Sequence, residues 1–239
     1  MTIRCVLLDI EGTIIPVAFV RDVLFPYSRQ RMASFLHDHR EDHVVRQWAA
    51  ACQDAIAQER GAPPSYEDLA GLLNHWIEED RKHPGIKALQ GMIWEEGYRT
   101  GAFAPDLYDD VAPALHSWRR NGLQLVLYSS GSEQAQRLLI EHTTDGNLTE
   151  LFSNFFDTRS GAKTEAASYR HIVDRMALRS EDILFLSDTE QELDAAAAAG
   201  LQTTHIVRPG TRPGTRHPIC SNFGDLSRAD STFTEIIAP

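Results

Sequence analysis

The sequence predicts an α/β fold, a doubly wound, Rossmann-like parallel sheet interrupted after its first strand by an all-helical insert. Three observations predict it. Short apolar runs bounded by turn residues recur at 3–10 (IRCVLLDI), 123–130 (LQLVLYSS), 182–188 (DILFLSD) and 203–208 (TTHIVR), the pattern of strands buried on both faces. Amphipathic helical segments alternate with these runs from 102 to 208, as successive βαβ units require. Residues 17–101 break the alternation and read as helix almost throughout.

The first run ends abruptly at Asp9, with Glu11 two residues on and a Gly-Thr turn behind it. The insert then reads as four helices, at 21–39, 43–60, 65–82 and 85–101, with the Pro-rich RGAPPSY (60–66) as a hinge between the second and third. The alternating pattern resumes with a helix over 104–122 that closes on Arg119, Arg120 and Gly122, a basic last turn and a glycine stop. After the strand 123–130, Ser132 and Glu133 open the helix SEQAQRLLIEHT. A shorter fifth run, SNFFDT (153–158), reads as a weaker strand. Helices follow at 163–178 and at 190–200, the latter acidic at its start with Gly200 at its end. The tandem RPGTRPGT (208–215) reads as two turns in a surface loop. The expected organisation is a core of residues 1–16 and 102–239 and a helical cap of residues 17–101. An insert at this point falls over the crevice where open α/β sheets bind ligands, the position of a lid.

Composition excludes several classes of function. The chain has 239 residues, 42% of them hydrophobic, and a formal net charge of −11. That charge repels nucleic acid and anionic lipid over most of a surface, so neither is an expected partner. A small anionic substrate stays open, because a metal ion and local donors can reverse the field inside one pocket. Cys5, Cys52 and Cys220 are scattered without a CxxC pair, which points to a reducing compartment. No signal-peptide pattern opens the chain, and no run is long enough to cross a bilayer. A cytoplasmic monomer is expected.

The chemistry is concentrated at one edge of the expected sheet. The C-terminal ends of the strands deliver Asp9 and Glu11, then Ser129 and Ser130, then Asp188, with Glu192 four residues later; Lys163 follows the weak strand in SGAKTE. This set suits phosphoryl transfer to an aspartate. A carboxylate nucleophile splits hydrolysis into two easier steps. The hydroxyls, backbone N–H groups at a helix N-terminus and a lysine ammonium neutralise the phosphate. Acids that would otherwise repel one another are held together by a hard cation, and Mg²⁺ suits oxygen donors.

In order along the chain, DIEGT, YSSGS, the lysine of GAKTE and FLSDTEQE resemble the four motifs of haloacid-dehalogenase-type phosphatases. More narrowly, LLDIEGT with FVRDVLFPY, LYSSGSEQAQ, FDTRSGAKTEAASYR and ILFLSDT resemble the enolase-phosphatases of methionine salvage, which have glutamate where most relatives have a second aspartate in DxD; here that residue is Glu11. The resemblance spans the whole chain and extends to the helical cap. It implies Asp9 as nucleophile and Mg²⁺ ligand, Glu11 as acid/base that meets the metal through its backbone carbonyl, Ser129, Ser130 and Lys163 as phosphate-binding residues, and Asp188 as the remaining metal ligand, with one Mg²⁺ per subunit. The implied substrate is 2,3-diketo-5-methylthiopentyl-1-phosphate, enolised and then dephosphorylated to the acireductone. The rival within the same superfamily is a general sugar-phosphate phosphatase with no enolisation step.

Simpler roles compete for other residues. His37, His39 and His43 read as a solvated helix face, because His37 cannot share a face with the other two. Trp76, Trp94 and Trp118 fall at amphipathic positions expected in a core. Glu192 divides between supporting the site and lying on an exposed helix face. Phe19, Phe25, Tyr27, Trp94 and Tyr98 are candidates to contact a methylthio tail, although packing of the cap's own interior is the expected fate of most. GAKT lacks the earlier glycine of a phosphate-binding P-loop.

Overall fold

The computed structural model describes residues 2–229. The chain divides into two compact units, one of residues up to 17 together with those from 104 onward, the other of residues 18–103.

After strand β1 (Cys5–Leu8), a helical turn α1 (Val17–Phe19) runs through a π-helical stretch (Val20–Leu24) into α2 (Phe25–Asp38). Three longer helices follow: α3 (His43–Arg60), α4 (Tyr66–Glu78) and α5 (Pro84–Arg99). Their starts are set by capping side chains. Asp42 Oδ1 accepts from the Val44 and Val45 N–H groups at 2.7 and 3.0 Å, and Ser65 Oγ accepts from Asp68 N–H at 3.1 Å. The left-handed Gly61 stops α3. Apolar residues at helical spacing close an interior of their own: Met32 and Leu36 from α2, Val45 and Cys52 from α3, Leu69 and Leu73 from α4, Ile86 and Leu89 from α5.

The other unit carries the sheet. Its elements in order are β1, α6 (Val111–Arg120), β2 (Gln124–Tyr128), α7 (Glu133–Glu141), β3 (Phe152–Phe156), α8 (Ala166–Met176), β4 (Ile183–Ser187), α9 (Glu190–Ala198), β5 (Gln202–Ile206), β6 (Ile219–Cys220) and α10 (Phe223–Ala229). All pairings are parallel, in the order β3-β2-β1-β4-β5-β6. The chain builds outward from β1 on one side through β2 and β3, then returns to build the other side from β4. The strand order therefore reverses at β1, the place where such sheets bind ligands. Leu7, Leu8, Val126, Leu127, Phe185 and Leu186 are fully buried, as strands covered on both faces must be.

Two features depart from the sequence reading. The two-residue edge strand β6 is too short to leave a pattern in the sequence. The tandem RPGT segment is also more than a pair of surface turns. Arg208 is 5% exposed, pairs with Asp110 at 2.7 Å, and donates from Nε to the Thr13 carbonyl at 3.1 Å and from Nη1 to the Ser221 carbonyl at 3.0 Å. Each contact joins residues about 100 or more positions apart or across a loop, so local turn chemistry gives no sign of it.

Candidate active site

Register fixes the site's frame. Leu8 pairs with Leu127 on one side and Leu186 on the other, so Asp9 lies level with Tyr128 and Ser187. Ser129 and Asp188 follow one position beyond. The Asp9 N–H donates to the Leu186 carbonyl at 2.9 Å, and the Ser129 N–H donates to the Phe156 carbonyl at 3.2 Å. The ladder thus extends one residue past the strands and holds both side chains at the carboxyl edge.

Lys163 reaches the same place from a distant loop. Its Nζ donates to Asp9 Oδ1 at 2.5 Å and lies 2.6 Å from Glu192 Oε2. The loop that carries it is pinned along its length. Tyr128 Oη donates to the Gly161 carbonyl at 2.9 Å, Ser168 Oγ to the Ala162 carbonyl at 2.7 Å, and Tyr169 Oη to the Lys163 carbonyl at 2.7 Å. Gly161 is required there, since its φ of +119° is left-handed and an added Cβ would lie 2.1 Å from Ser168 Oγ.

Asp188 stands against the turn that follows Asp9. A Cβ on Gly12 would fall 2.3 Å from Asp188 Oδ2, and Gly12 has a φ of +72°. Only glycine satisfies both constraints. Burial, and next the charge of Asp9, push the Asp188 carboxyl up to about 6. Burial and Asp9 likewise raise Glu192, against the opposing pull of Lys163 and a 3.0 Å hydrogen bond from Ser187 Oγ. Burial opposes the charge on Lys163, but Asp9 and Glu192 outweigh it and hold the ammonium above its ordinary range. The site therefore holds three carboxyl groups and one buried cation, a net negative charge that a further cation would relieve.

The donors fit a hard divalent ion. Asp9 and Asp188 offer carboxylate oxygens near enough for the charge of Asp9 to raise the Asp188 carboxyl. Among the described residues no three His, Cys, Asp or Glu side chains gather to hold a metal, which leaves backbone oxygens and water as the remaining donors for a cation beside those two. Glu11 is half-buried in the turn, where its backbone bridges to Ile15.

Ser129 and Ser130, the expected phosphate-binding residues, lie in the turn between β2 and α7. Ser129 is buried and its Oγ accepts from the Gly131 N–H at 3.2 Å, so the hydroxyl proton is left to donate. Ser130 is exposed at the following position. The N-terminus of α7, by contrast, is largely consumed within the protein. Glu133 N–H donates to Asp157 Oδ2 at 3.2 Å and Ala135 N–H to Ser132 Oγ at 3.2 Å. The Ser129 hydroxyl, in the turn before the helix, keeps its proton free to donate.

Glu192, undecided between two roles in the sequence, belongs to the site through Lys163 and Ser187. Asp157 ends β3 as Asp9 ends β1, an acid closing an apolar run, and its carboxylate accepts from the Glu133 and Arg159 N–H groups. The His37, His39 and His43 group does not assemble; His37 and His43 are exposed, and His39 pairs with Glu96 at 3.1 Å. The aromatic candidates of the helical unit engage one another. The Phe103 ring meets Tyr27, Tyr98 and Phe19 at centroid distances of 4.9, 4.7 and 6.3 Å, and Trp94 stacks on Phe25 while its Nε1 donates to the Leu24 carbonyl at 2.9 Å.

Comparison with known proteins gives a consistent answer. Residues 3–200 match the haloacid dehalogenase-like hydrolase family model. The chain is 51% identical to an enolase-phosphatase E1 of Gluconacetobacter diazotrophicus, over 95% of this chain and 94% of that one, and 49% identical to one of Acidiphilium cryptum, over 94% of each. Among solved structures, the UTR4 protein of Saccharomyces cerevisiae superposes with a TM-score of 0.77 at 31% identity, covering 93% of this chain and 99% of that one. CbbY from Rhodobacter sphaeroides, solved with phosphate, shares the fold with a TM-score of 0.59 at 19% identity, covering 94% and 96%.

Proposed function

Because this chain belongs to the haloacid dehalogenase-like hydrolases, with enolase-phosphatases among its relatives, we propose that it is an enolase-phosphatase of methionine salvage. It converts 2,3-diketo-5-methylthiopentyl-1-phosphate to the acireductone 1,2-dihydroxy-3-keto-5-methylthiopentene and phosphate. The observation that carries this reading is the buried Lys163–Asp9 pair beside Asp188, at the carboxyl edge of the strand where the sheet order reverses.

In this reading Asp9 is the nucleophile. Its carboxylate oxygen attacks phosphorus, the bond from phosphorus to the substrate oxygen breaks, and Glu11 gives that oxygen a proton. Glu11 then takes a proton from the water that attacks the aspartyl-phosphate, which returns Asp9 and releases inorganic phosphate. Lys163, Ser129 and Ser130 donate to the phosphoryl oxygens. Asp9, Asp188 and the Glu11 backbone carbonyl would hold one Mg²⁺ per subunit, and the ion supplies positive charge against the clustered acids and the oxygens of an enolate. Enolisation comes first, with Glu11 removing from C1 the proton that it then gives to the leaving oxygen; the C2 oxygen takes a proton from solvent, and Glu11 returns to solvent the proton taken from the attacking water. A glutamate reaches one methylene further than an aspartate. The helical unit acts as a cap that contributes to substrate choice. The protein works in the cytoplasm, a proposal supported by three free, buried cysteines, and it works as a monomer.

The test mixes the diketone phosphate, enzyme and Mg²⁺ and follows enol absorbance together with free phosphate. An enol that forms and decays as phosphate rises supports the reading. Rapid turnover of ordinary sugar phosphates with no enol signal replaces it with a general phosphatase. Glu11→Gln is expected to abolish both signals; enol formation that survives in this variant removes Glu11 as the enolising base.

A further inference from the structure

Gln136 is 2% exposed in the first turns of α7, and none of the steps above uses it. Its Nε2 donates to the Gly131 carbonyl at 2.9 Å and to the Phe156 carbonyl at 2.8 Å. Both partners are carbonyl oxygens, so the nitrogen of the amide must face them. The Phe156 carbonyl already accepts from the Ser129 N–H, so the partner that depends on Gln136 is Gly131. Gln136 Oε1, meanwhile, is buried with no hydrogen-bond partner. An amide with one end unpaired is a poor choice for packing alone.

Gly131 sits between Ser130 and Ser132, in the turn assigned above to the phosphate. A trans peptide is planar, so its N–H points opposite to its C=O. Drawing the Gly131 carbonyl inward onto Gln136 therefore turns the Ser132 N–H the other way. Four amides around it are engaged inside the protein: Gly131 on Ser129, Glu133 on Asp157, Ala135 and Gln136 on Ser132. We propose that Gln136 is a positioning residue for the phosphate-binding turn 129–132, holding the Gly131–Ser132 peptide so that the Ser132 N–H is presented to the phosphate beside Ser129 and Ser130. The inference rests on the phosphatase reading and adds the group that orients its anion donors; Gln136 itself touches no reacting atom.

The test uses Gln136→Met, which keeps length and volume but cannot donate. Inorganic phosphate, as a competitive product inhibitor, is expected to bind roughly tenfold more weakly, the size of one charge-assisted hydrogen bond. The KM of the substrate should rise in step, the Mg²⁺ concentration for half-maximal activity should stay unchanged, and the stabilisation of the wild type by phosphate in thermal melts should shrink. Gln136→Leu carries the same test should the methionine variant not fold, because it too is apolar, of similar volume and unable to donate. Thr143→Val, which removes a buried hydrogen bond to the Gly146 carbonyl beyond the far end of α7, controls for lost stability and should leave phosphate inhibition as in the wild type. Unchanged phosphate inhibition in both Gln136 variants overturns the proposal. A wild-type enzyme that phosphate neither inhibits nor stabilises overturns the phosphatase reading instead.

Discussion

At Asp9 one side chain meets several demands: it ends a buried strand, pairs with a buried lysine, and stands near a second carboxyl whose proton it holds on. None of these contacts favours a bare strand end, which is why a carboxylate there signals chemistry rather than structure. Asp9→Asn preserves shape and removes the nucleophile, so phosphate release is expected to fall by at least about a thousandfold while the variant stays folded; near-normal turnover would end the covalent mechanism. Gly12 is the second residue whose identity is dictated. An alanine there needs a left-handed backbone, at about 1–2 kcal/mol, and its Cβ collides with Asp188. Gly12→Ala should lower stability by at least that amount in urea titrations and raise the Mg²⁺ needed for half-maximal activity. The acids and hydroxyls were legible in the sequence because each polar residue interrupts an apolar run at the same end of a strand. Glu192 was not, since an acid in the first turn of a helix serves the helix dipole equally well and only the arrival of Lys163 from a remote loop decides its role.

Among the elements, the corner where β3 meets α7 shows how the turn proposed to bind phosphate is supported. Burial would raise the Asp157 carboxyl, but hydrogen bonds from the Arg159 side chain and from the Arg159 and Glu133 N–H groups outweigh it and hold the group below the usual carboxylate range. A depressed folded-state value makes ionised Asp157 stabilising above the ordinary aspartate range, and that contribution is lost as pH falls through the folded value. Arg159 is 75% exposed, so solvent screens its share and the backbone bonds dominate. Asp157→Asn should therefore cost about 1–2 kcal/mol near neutral pH, with the difference from wild type shrinking below about pH 4 and vanishing only beneath the depressed folded-state value. Equal losses at both pH values in urea unfolding would contradict this. The five longer strands and the four main helices of the insert were readable from periodicity and caps. The π-helical entry to α2, the two-residue β6 and the anchoring of Arg208 were not, because each depends on contacts between distant segments rather than on local pattern.

For the whole molecule, a net charge of −11 and a cluster of buried and partly buried acids would make the proposed cation part of the fold's energetics as well as its chemistry. Asp188, pushed up to about 6, keeps a proton when folded that the unfolded chain has released. Without metal, stability should thus fall as pH rises from about 4 to about 6. In the proposed reading Mg²⁺ takes the place of that proton, so the stability gained from Mg²⁺ should be small near pH 5 and larger near pH 7, reaching about 3 kcal/mol at a hundredfold excess over its dissociation constant. Chelation should reverse the gain, and a Mg²⁺ effect independent of pH would remove Asp188 from the metal site. The central claim is that phosphorus passes through a bond to the ninth residue. Acid-quenching the enzyme during turnover and reducing it with borohydride converts an aspartyl-phosphate to homoserine. The account predicts homoserine at position 9, and none in Asp9→Asn. An intact aspartate at position 9, in enzyme quenched while releasing phosphate at full rate, would contradict it.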